Sequence, residues 1–340
     1  MVKAKLKDVA LDAGVSTATV SLVLSGKGKI SKDVSRRVKE SAQRLGYIRN
    51  PAQRIKRNSH RLIILTYVKL DWSYAWDLTT PIITKLEEMA VEKGYSLTIQ
   101  PITDNTTSDE LYQMIIRHKT AGIASIHFVD NDLFSRLEKH DIPVVIINNS
   151  YSQNRFHSVC VDDFQGAYDG ASYLMSLGHK NILYVEYLRP AESNVMIDRY
   201  IGFKKAADEH RIDFSDENRI TVPFDDTEGF SELLSSFFTK PVVDRPTAIF
   251  AHDDRFAAVT MTILSKLGLS VPEDVSIIAP GDVLNYDLPY TPRITTMKID
   301  SEMLGTVAGD HLIKIIKKQS DIYGFKVLQR LIDRGSCRSI

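Results

Sequence analysis

Thr17, Ala18, Ser21 and Leu22 share one face of any helix that runs through them. Two hydroxyls, a methyl and a branched alkyl group do no bond-making chemistry, but together they suit recognition. Thr17 and Ser21 can hydrogen-bond bases or phosphates, and Ala18 can meet a thymine methyl. The stretch Ser25-Gly26-Lys27-Gly28-Lys29 follows as a flexible basic turn of the kind that contacts phosphate, with Lys29 at its end. That face has to be held by neighbouring elements, and the flanking sequence supplies them. Leu6, Val9, Ala10 and Ala13 recur at helical spacing and predict a first helix with one buried face. Gly14 follows as its stop, and Ser16 is placed to cap the second helix. Val20, Val23 and Leu24 give the second helix its core side. Ser31 starts a third helix whose apolar stripe is Val34, Val38, Ala42 and Leu45, with Gly46 as its stop. Helix, short glycine turn and small-residue helix is the layout of a helix-turn-helix, whose second helix enters the major groove.

The charge distribution agrees. The chain of 340 residues has 43 Lys+Arg and 43 Asp+Glu, yet residues 1–60 hold 14 of the former and 4 of the latter. The rest holds 29 against 39, so a basic head precedes an acidic body. A concentrated basic segment is the electrostatic footprint of a phosphate binder. Hydrophobic content of 43% and charged content of 25% are those of a globular protein. No apolar run approaches the ~20 residues of a membrane helix, and the charged N-terminus lacks a signal peptide's apolar stretch. The expectation is a cytoplasmic protein without a membrane partner. Cys160 and Cys337 lack zinc spacing and read as buried small apolar residues.

From residue 62 the pattern changes to strands alternating with helices. Strands are predicted at 62–68, 95–100, 122–128 and 144–148, with helices at 81–93, 110–118 and 133–140. After a polar stretch at 149–157 the rhythm restarts, with helices at 164–177, 198–210, 227–239 and 255–267 and strands at 182–186, 220–223, 248–251 and 275–279. This predicts two lobes, each a parallel sheet covered on both faces, with a ligand beyond the carboxyl ends of the strands.

The head resembles the DNA-binding domain of the LacI/GalR (lactose-repressor/galactose-repressor) family. The matching residues are Asp8-Val9-Ala10, Ala13-Gly14-Val15-Ser16, Thr19-Val20-Ser21, Val23-Leu24, Ser31, Val38, Leu45-Gly46-Tyr47 and Asn50. The resemblance implies a homodimer on a near-palindromic double-stranded DNA operator. Candidate DNA contacts are then Lys5, Ser16, Thr17, Ala18, Ser21, Leu22, Lys29, Tyr47, Asn50, Arg54, Ile55 and Lys56. Two positions depart from the family. Leu22 stands where the family usually has a guanine-reading arginine, which shifts base preference toward apolar contact. Lys56 stands where the family's hinge leucine wedges into the minor groove. Either Ile55 replaces that wedge through a change of register, or Lys56 contacts phosphate.

The body resembles the same family's effector-binding domain, itself similar to periplasmic sugar-binding proteins. The residues that carry this are Gly178-His179-Lys180-Asn181-Ile182, Arg199-Tyr200-Ile201-Gly202-Phe203, Ala251-His252-Asp253, Pro272-Glu273-Asp274-Val275-Ser276 and Pro292-Arg293-Ile294-Thr295-Thr296-Met297. The fold expected is an all-α helix-turn-helix head plus an α/β two-lobed periplasmic-binding-protein-like body of two parallel doubly wound sheets. The expected division is a head at 1–47, a hinge at 48–60, a first lobe at 61–161 with 291–325, and a second at 162–290 with 326–340.

The resemblance places candidate ligand contacts at Asn148, Arg199, Phe224, His252, Asp253 and Asp282. Arg199 can grip ligand oxygens with a rigid fork of donors or form a structural ion pair. Phe224 can stack on a ligand or belong to the core, and His252 can donate to a hydroxyl or cap a helix. Gly281-Asp282 replaces the family's paired aspartates, which counts against ordinary monosaccharide recognition. Both tryptophans lie in the expected loop Asp71-Trp72-Ser73-Tyr74-Ala75-Trp76, where Trp72, Tyr74 and Trp76 could pack on sugar faces. The reading that follows is a ligand-responsive repressor of a carbohydrate-use operon, controlled by a di- or oligosaccharide; a non-sugar metabolite or a corepressor protein is the alternative. A transport-type binding protein conflicts with the basic head. An enzyme conflicts with the lack of a nucleophile motif or metal spacing around His179, His252 and the pairs Asp162-Asp163, Asp225-Asp226 and Asp253-Asp254. No cofactor or metal is expected.

Overall fold

The computed structural model of the chain describes residues 6–25, 30–45, 47, 60–67, 73–188, 194–223, 226–320 and 323–340. Its internal contacts divide into two units, Met1–Asn58 and Ser59–Ile340. The head has helices α1 (Leu6–Asp12), α2 (Thr17–Ser25) and α3 (Lys32–Arg44). Val9, Ala10, Ala13, Val20, Val23, Val38 and Ala42 form its buried core. Gly14 takes φ +63° between α1 and α2, a left-handed turn that a side chain would strain. The Ser41 hydroxyl donates to the Val9 carbonyl at 3.3 Å and Arg44 pairs with Asp12 at 2.6 Å, so α3 is tied to α1 twice.

The body's first sheet contains β1 (Arg61–Tyr67), β2 (Ser96–Ile102), β3 (Gly122–Ile126), β4 (Val144–Ile147) and β5 (His157–Val161). Between them run α4 (Ser73–Glu92), α5 (Ser108–Arg117) and α6 (Asn131–Glu138). The second sheet follows with α7 (Asp163–Ser176), β6 (Ile182–Leu188), α8 (Val195–Glu209), β7 (Arg219–Pro223), α9 (Thr227–Phe238), β8 (Ala248–Ala251), α10 (Asp254–Lys266), β9 (Ser276–Gly281) and β10 (Thr295–Lys298). The chain ends with α11 (Ser301–Ile316), β11 (Gly324–Val327) and β12 (Arg330–Ile332). Strand orders are β11-β5-β4-β3-β1-β2 and β12-β10-β9-β8-β6-β7. All pairings are parallel except β10 with β12.

The alternation of side chains along a strand explains the layers. Leu62 and Ile64 of β1 face a core shared with Leu78, Ile82, Leu86 and Ala90 of α4 and Leu304, Ala308 and Leu312 of α11. Ile63 and Leu65 face the other side, against Leu111 and Ile115 of α5 and Leu133 and Phe134 of α6. A strand buried on both faces must be largely apolar, as Leu62–Leu65 of β1 are. In the second lobe, Leu183, Val185 and Tyr187 of β6 face α9 and α10, whereas Ile182 and Tyr184 face α7 and α8.

Three expectations need correction. First, α4 begins at Ser73, not at Pro81, so residues 73–76 are helical and not a loop. Proline suits a first helical turn, but Leu78 extends the buried stripe one turn upstream, and that burial outweighs the bond Pro81 cannot make. Second, β10 belongs to the second sheet, so the return to the first lobe comes at Ile299–Asp300 and not near 291. Third, β11 stays in the first sheet through Val327, and only β12 returns to the second. The helix α11 packs on α4 in the first lobe. The chain therefore crosses between lobes after β5, after β10 and after β11.

Candidate functional site

In the head, Thr17, Ala18 and Leu22 are exposed and Ser21 is half-buried, so α2 presents them as one face. Leu22 keeps 42% of its surface open on this face. Ser16 sits at the start of α2, where its hydroxyl accepts from the Thr19 amide at 3.0 Å and contacts the Thr19 hydroxyl at 2.9 Å. Its observed work is holding the helix entrance. Tyr47 is half-buried against the head core. Lys5, Lys29, Asn50, Arg54, Ile55 and Lys56 lie outside the described residues.

In the body, both sheets change direction at a switch point, between β1 and β3 in the first and between β6 and β8 in the second. A crevice opens beyond the carboxyl ends of strands at such points. Beyond β6, β7 and β8 there is a cavity of about 240 Å³. Tyr187, Phe230 and Phe256 form its aromatic wall, and Asp226, Asp253 and Arg255 supply charge. Tyr187 stacks on Phe256 with centroids 4.0 Å apart, and Phe230 lies 4.5 Å from Phe256. Asp226 and Asp253 also cap α9 and α10, accepting from the Gly229 amide at 2.8 Å and the Phe256 amide at 2.7 Å. His252, 2% exposed, packs edge-on against Tyr187.

The remaining sequence-selected residues divide. Asn148, half-buried at the end of β4, takes φ +55° and donates its backbone N–H to the Val159 carbonyl at 2.9 Å. Arg199 is buried with Asp163: Nε donates to Oδ1 at 2.8 Å, and Nη1 donates to the His252 carbonyl at 2.6 Å. It is a buried ion pair, and two of its three nitrogens are occupied by protein. Gly202, one turn on, makes this seating possible, because a Cβ there would lie 2.2 Å from the Phe164 carbonyl oxygen. Asp282 likewise turns inward. It accepts from Arg334 at 2.5 Å and from the Thr296 hydroxyl at 2.9 Å, and pairs with Lys298 at 3.4 Å. Asp282 therefore ties the C-terminal segment to β10, and its carboxylate is taken up by that work. Trp72 and Phe224 lie outside the described residues, as do the side chains of Tyr74 and Trp76.

Sequence reasoning did not single out the three rings of the wall. It also missed Arg255, which reaches Asp77 of α4 across the lobes as an ion pair. Other contacts between lobes are Ser150 with Asp198 at 3.5 Å and Lys326 with Asp162 at 3.2 Å. The remaining titratable candidates are structural. His179 is buried between the Thr247 hydroxyl at 2.9 Å and the Arg338 carbonyl at 3.0 Å, and burial lowers its pKa. Burial pushes the thiols of Cys160 and Cys337 up to about 11 and about 12, which keeps them protonated and unreactive. No helix among the described residues is long and apolar enough to cross a membrane.

Both the head and the body match known protein families. Residues 5–50 match the family model described as bacterial regulatory proteins, lacI family, and residues 171–337 match the periplasmic binding protein-like domain. The HTH-type transcriptional repressor PurR of Proteus mirabilis (strain HI4320) is 28% identical over 340 residues, 98% of this chain and 96% of the relative. The PurR repressor of Escherichia coli O139:H28 (strain E24377A / ETEC) is 28% identical over 339 residues with the same coverage, 98% and 96%. Among solved structures, a complex of the transcriptional regulator CelR with cellobiose matches with a TM-score of 0.70 at 20% identity, covering 98% of this chain and 100% of the other. The lac repressor dimer bound to operator and the anti-inducer ONPF matches with a TM-score of 0.68 at 22% identity, covering 99% and 100%. These sequence relatives are repressors of transcription, not enzymes. The chain belongs to the lacI family of bacterial regulatory proteins, a DNA-binding transcriptional repressor with a helix-turn-helix head and a two-lobed ligand-binding body.

Proposed function

We propose that the protein is a cytoplasmic homodimer that represses genes of carbohydrate use, and that a di- or oligosaccharide in the cleft sets its affinity for a near-palindromic operator. The observation that carries the ligand class is the second-lobe cavity, where Tyr187, Phe230 and Phe256 stand beside Asp226 and Asp253. The buried rings give the cavity an apolar lining for a sugar's C–H groups, with Tyr187 the most open of the three at 8%, and the carboxylates accept from its hydroxyls. The solved CelR complex, which holds cellobiose, supports the same reading. On the DNA side, Leu22 supplies an exposed apolar contact to the groove. The operator affinity falls steeply with salt, because head contacts release condensed counterions. A ligand that binds one lobe arrangement more tightly shifts the population, and operator affinity follows that shift.

A planar heterocyclic base would suit the same apolar lining, so the deciding experiment includes both classes. Thermal unfolding is measured against mono-, di- and oligosaccharides and purine bases. A true effector at a hundred times its Kd stabilises the fold by about 2.7 kcal/mol. A shift with a disaccharide supports the proposal; a shift with bases alone overturns it.

A further inference from the structure

We propose that the ion pair between Asp77 and Arg255 is a closing latch for the two lobes, and that residues 253–255 link the state of the cavity to it. The inference rests on reading the cavity as the effector site. Three consecutive residues at the start of α10 hold three different parts of the molecule. Asp253 lines the cavity and fixes the first turn of α10 through the Phe256 amide. Asp254 accepts from the amides of Val283 and Leu284 at 2.9 and 3.0 Å and from the Tyr286 hydroxyl at 3.2 Å. Val283 in turn packs against the first lobe's core. Arg255 also lines the cavity and reaches Asp77, whose neighbour Leu78 is buried in the first lobe. A ligand that moves the first turn of α10 therefore moves the 283–286 loop and the bridge together.

The position of the pair makes it a latch and not a hinge. Lys326 and Asp162, which also pair between lobes, belong to segments where the chain crosses. Asp77 and Arg255 belong to no crossing segment, so opening of the lobes can separate them. Their side chains are 44% and 34% exposed, and a pair so open to water is weak enough to part and re-form. A contact made in only one of two arrangements biases the equilibrium between them.

The test is a spin-label distance measurement on the full-length protein without added ligand. Labels are placed at Thr80→Cys on α4 and Glu228→Cys on α9, both exposed positions on opposite lobes, with Cys160→Ala and Cys337→Ala removing the native thiols. Dilution with unlabelled protein leaves only distances within a protomer. The unmodified pair gives a dominant short distance. Arg255→Asp lowers the ratio of short to long distances by about twofold to fivefold, the range of an exposed ion pair. Asp77→Arg combined with Arg255→Asp restores it. Asp77→Asn, a milder change, gives the same loss if Arg255→Asp fails to fold. An unchanged distribution in the single variants, or a swap that does not restore the short distance, overturns the latch. Because no ligand is added, the result is independent of the saccharide panel. A restored swap in a protein that answers no sugar would leave the latch standing and overturn the ligand reading.

Discussion

Arg199 and Arg255 sit on α8 and α10, helices packed against opposite faces of the second sheet, and each holds an aspartate. In the Arg199–Asp163 pair both side chains are 7% exposed; in the Arg255–Asp77 pair they are 34% and 44% exposed. The chemical groups are the same and the surroundings differ. Away from water, neither charge of the first pair can be solvated alone, so the pair holds together α8, the start of α7 and the His252 carbonyl. In the second pair, water solvates whichever partner is left behind, so the pair can break and re-form. The same arginine–aspartate pair is therefore fixed scaffold when buried and able to part when exposed.

The largest effect should come from breaking the buried pair. Arg199→Ala leaves the Asp163 carboxylate buried without its cation, and we expect a loss of roughly 3–5 kcal/mol in body stability, read by urea unfolding. A loss below about 1 kcal/mol, the range of exposed pairs, would erase the contrast with Arg255 and return Arg199 to a ligand-gripping role.

The same contrast explains what was legible in the sequence. The head could be read because its signals are local: Gly14, the Ser16 and Ser31 caps and the apolar stripes lie within a few residues of what they control. The alternation of strands and helices could be read because strands buried on both faces carry unbroken apolar runs, such as Leu62–Leu65 within 61–67. The crossing at Ile299–Asp300 could not, because β10 reads Thr-Thr-Met-Lys and is recruited to its sheet by partners far away, including Ser336 and Asp333. Asp282 looked free for a ligand because its partner Arg334 is 52 residues distant. The cavity's wall escaped notice because its three rings come from β6, α9 and α10, each in a stretch that also feeds the core.

Asp254 gives a second, smaller test, since it is buried like Asp163 but accepts from two backbone amides and a phenol where Asp163 accepts from a guanidinium. Burial raises its pKa from 3.8 to about 6, against the backbone amides of Leu284 and Val283, which lower it. With the folded value above the unfolded one, the folded state binds the proton more tightly. Its contribution is thus complete below about pH 4 and is lost as pH rises through about 6. Comparing Asp254→Asn with the unmodified protein removes the common background. Between pH 4 and pH 7 the stability difference should move in favour of the variant by up to about 3 kcal/mol. A difference that stays flat, or moves toward the unmodified protein, would mean that Asp254 ionises in the folded state as easily as in the unfolded chain, and burial would no longer separate it from the exposed Asp77.

The smallest effect belongs to the exposed pair and is informative because it is small. Asp77→Asn should change the unfolding free energy by no more than about 1 kcal/mol. Raising the salt from low concentration to about 1 M, where the screening length falls to about 3 Å, should remove most of that difference. The Arg199→Ala deficit should persist at the same salt, since ions do not reach a pair whose side chains are 7% exposed. Unfolding curves for both variants at two salt concentrations thus measure burial directly. A salt-insensitive cost for Asp77→Asn would place the Asp77–Arg255 pair among the scaffold contacts, and a pair that does not open in water could not act as a latch.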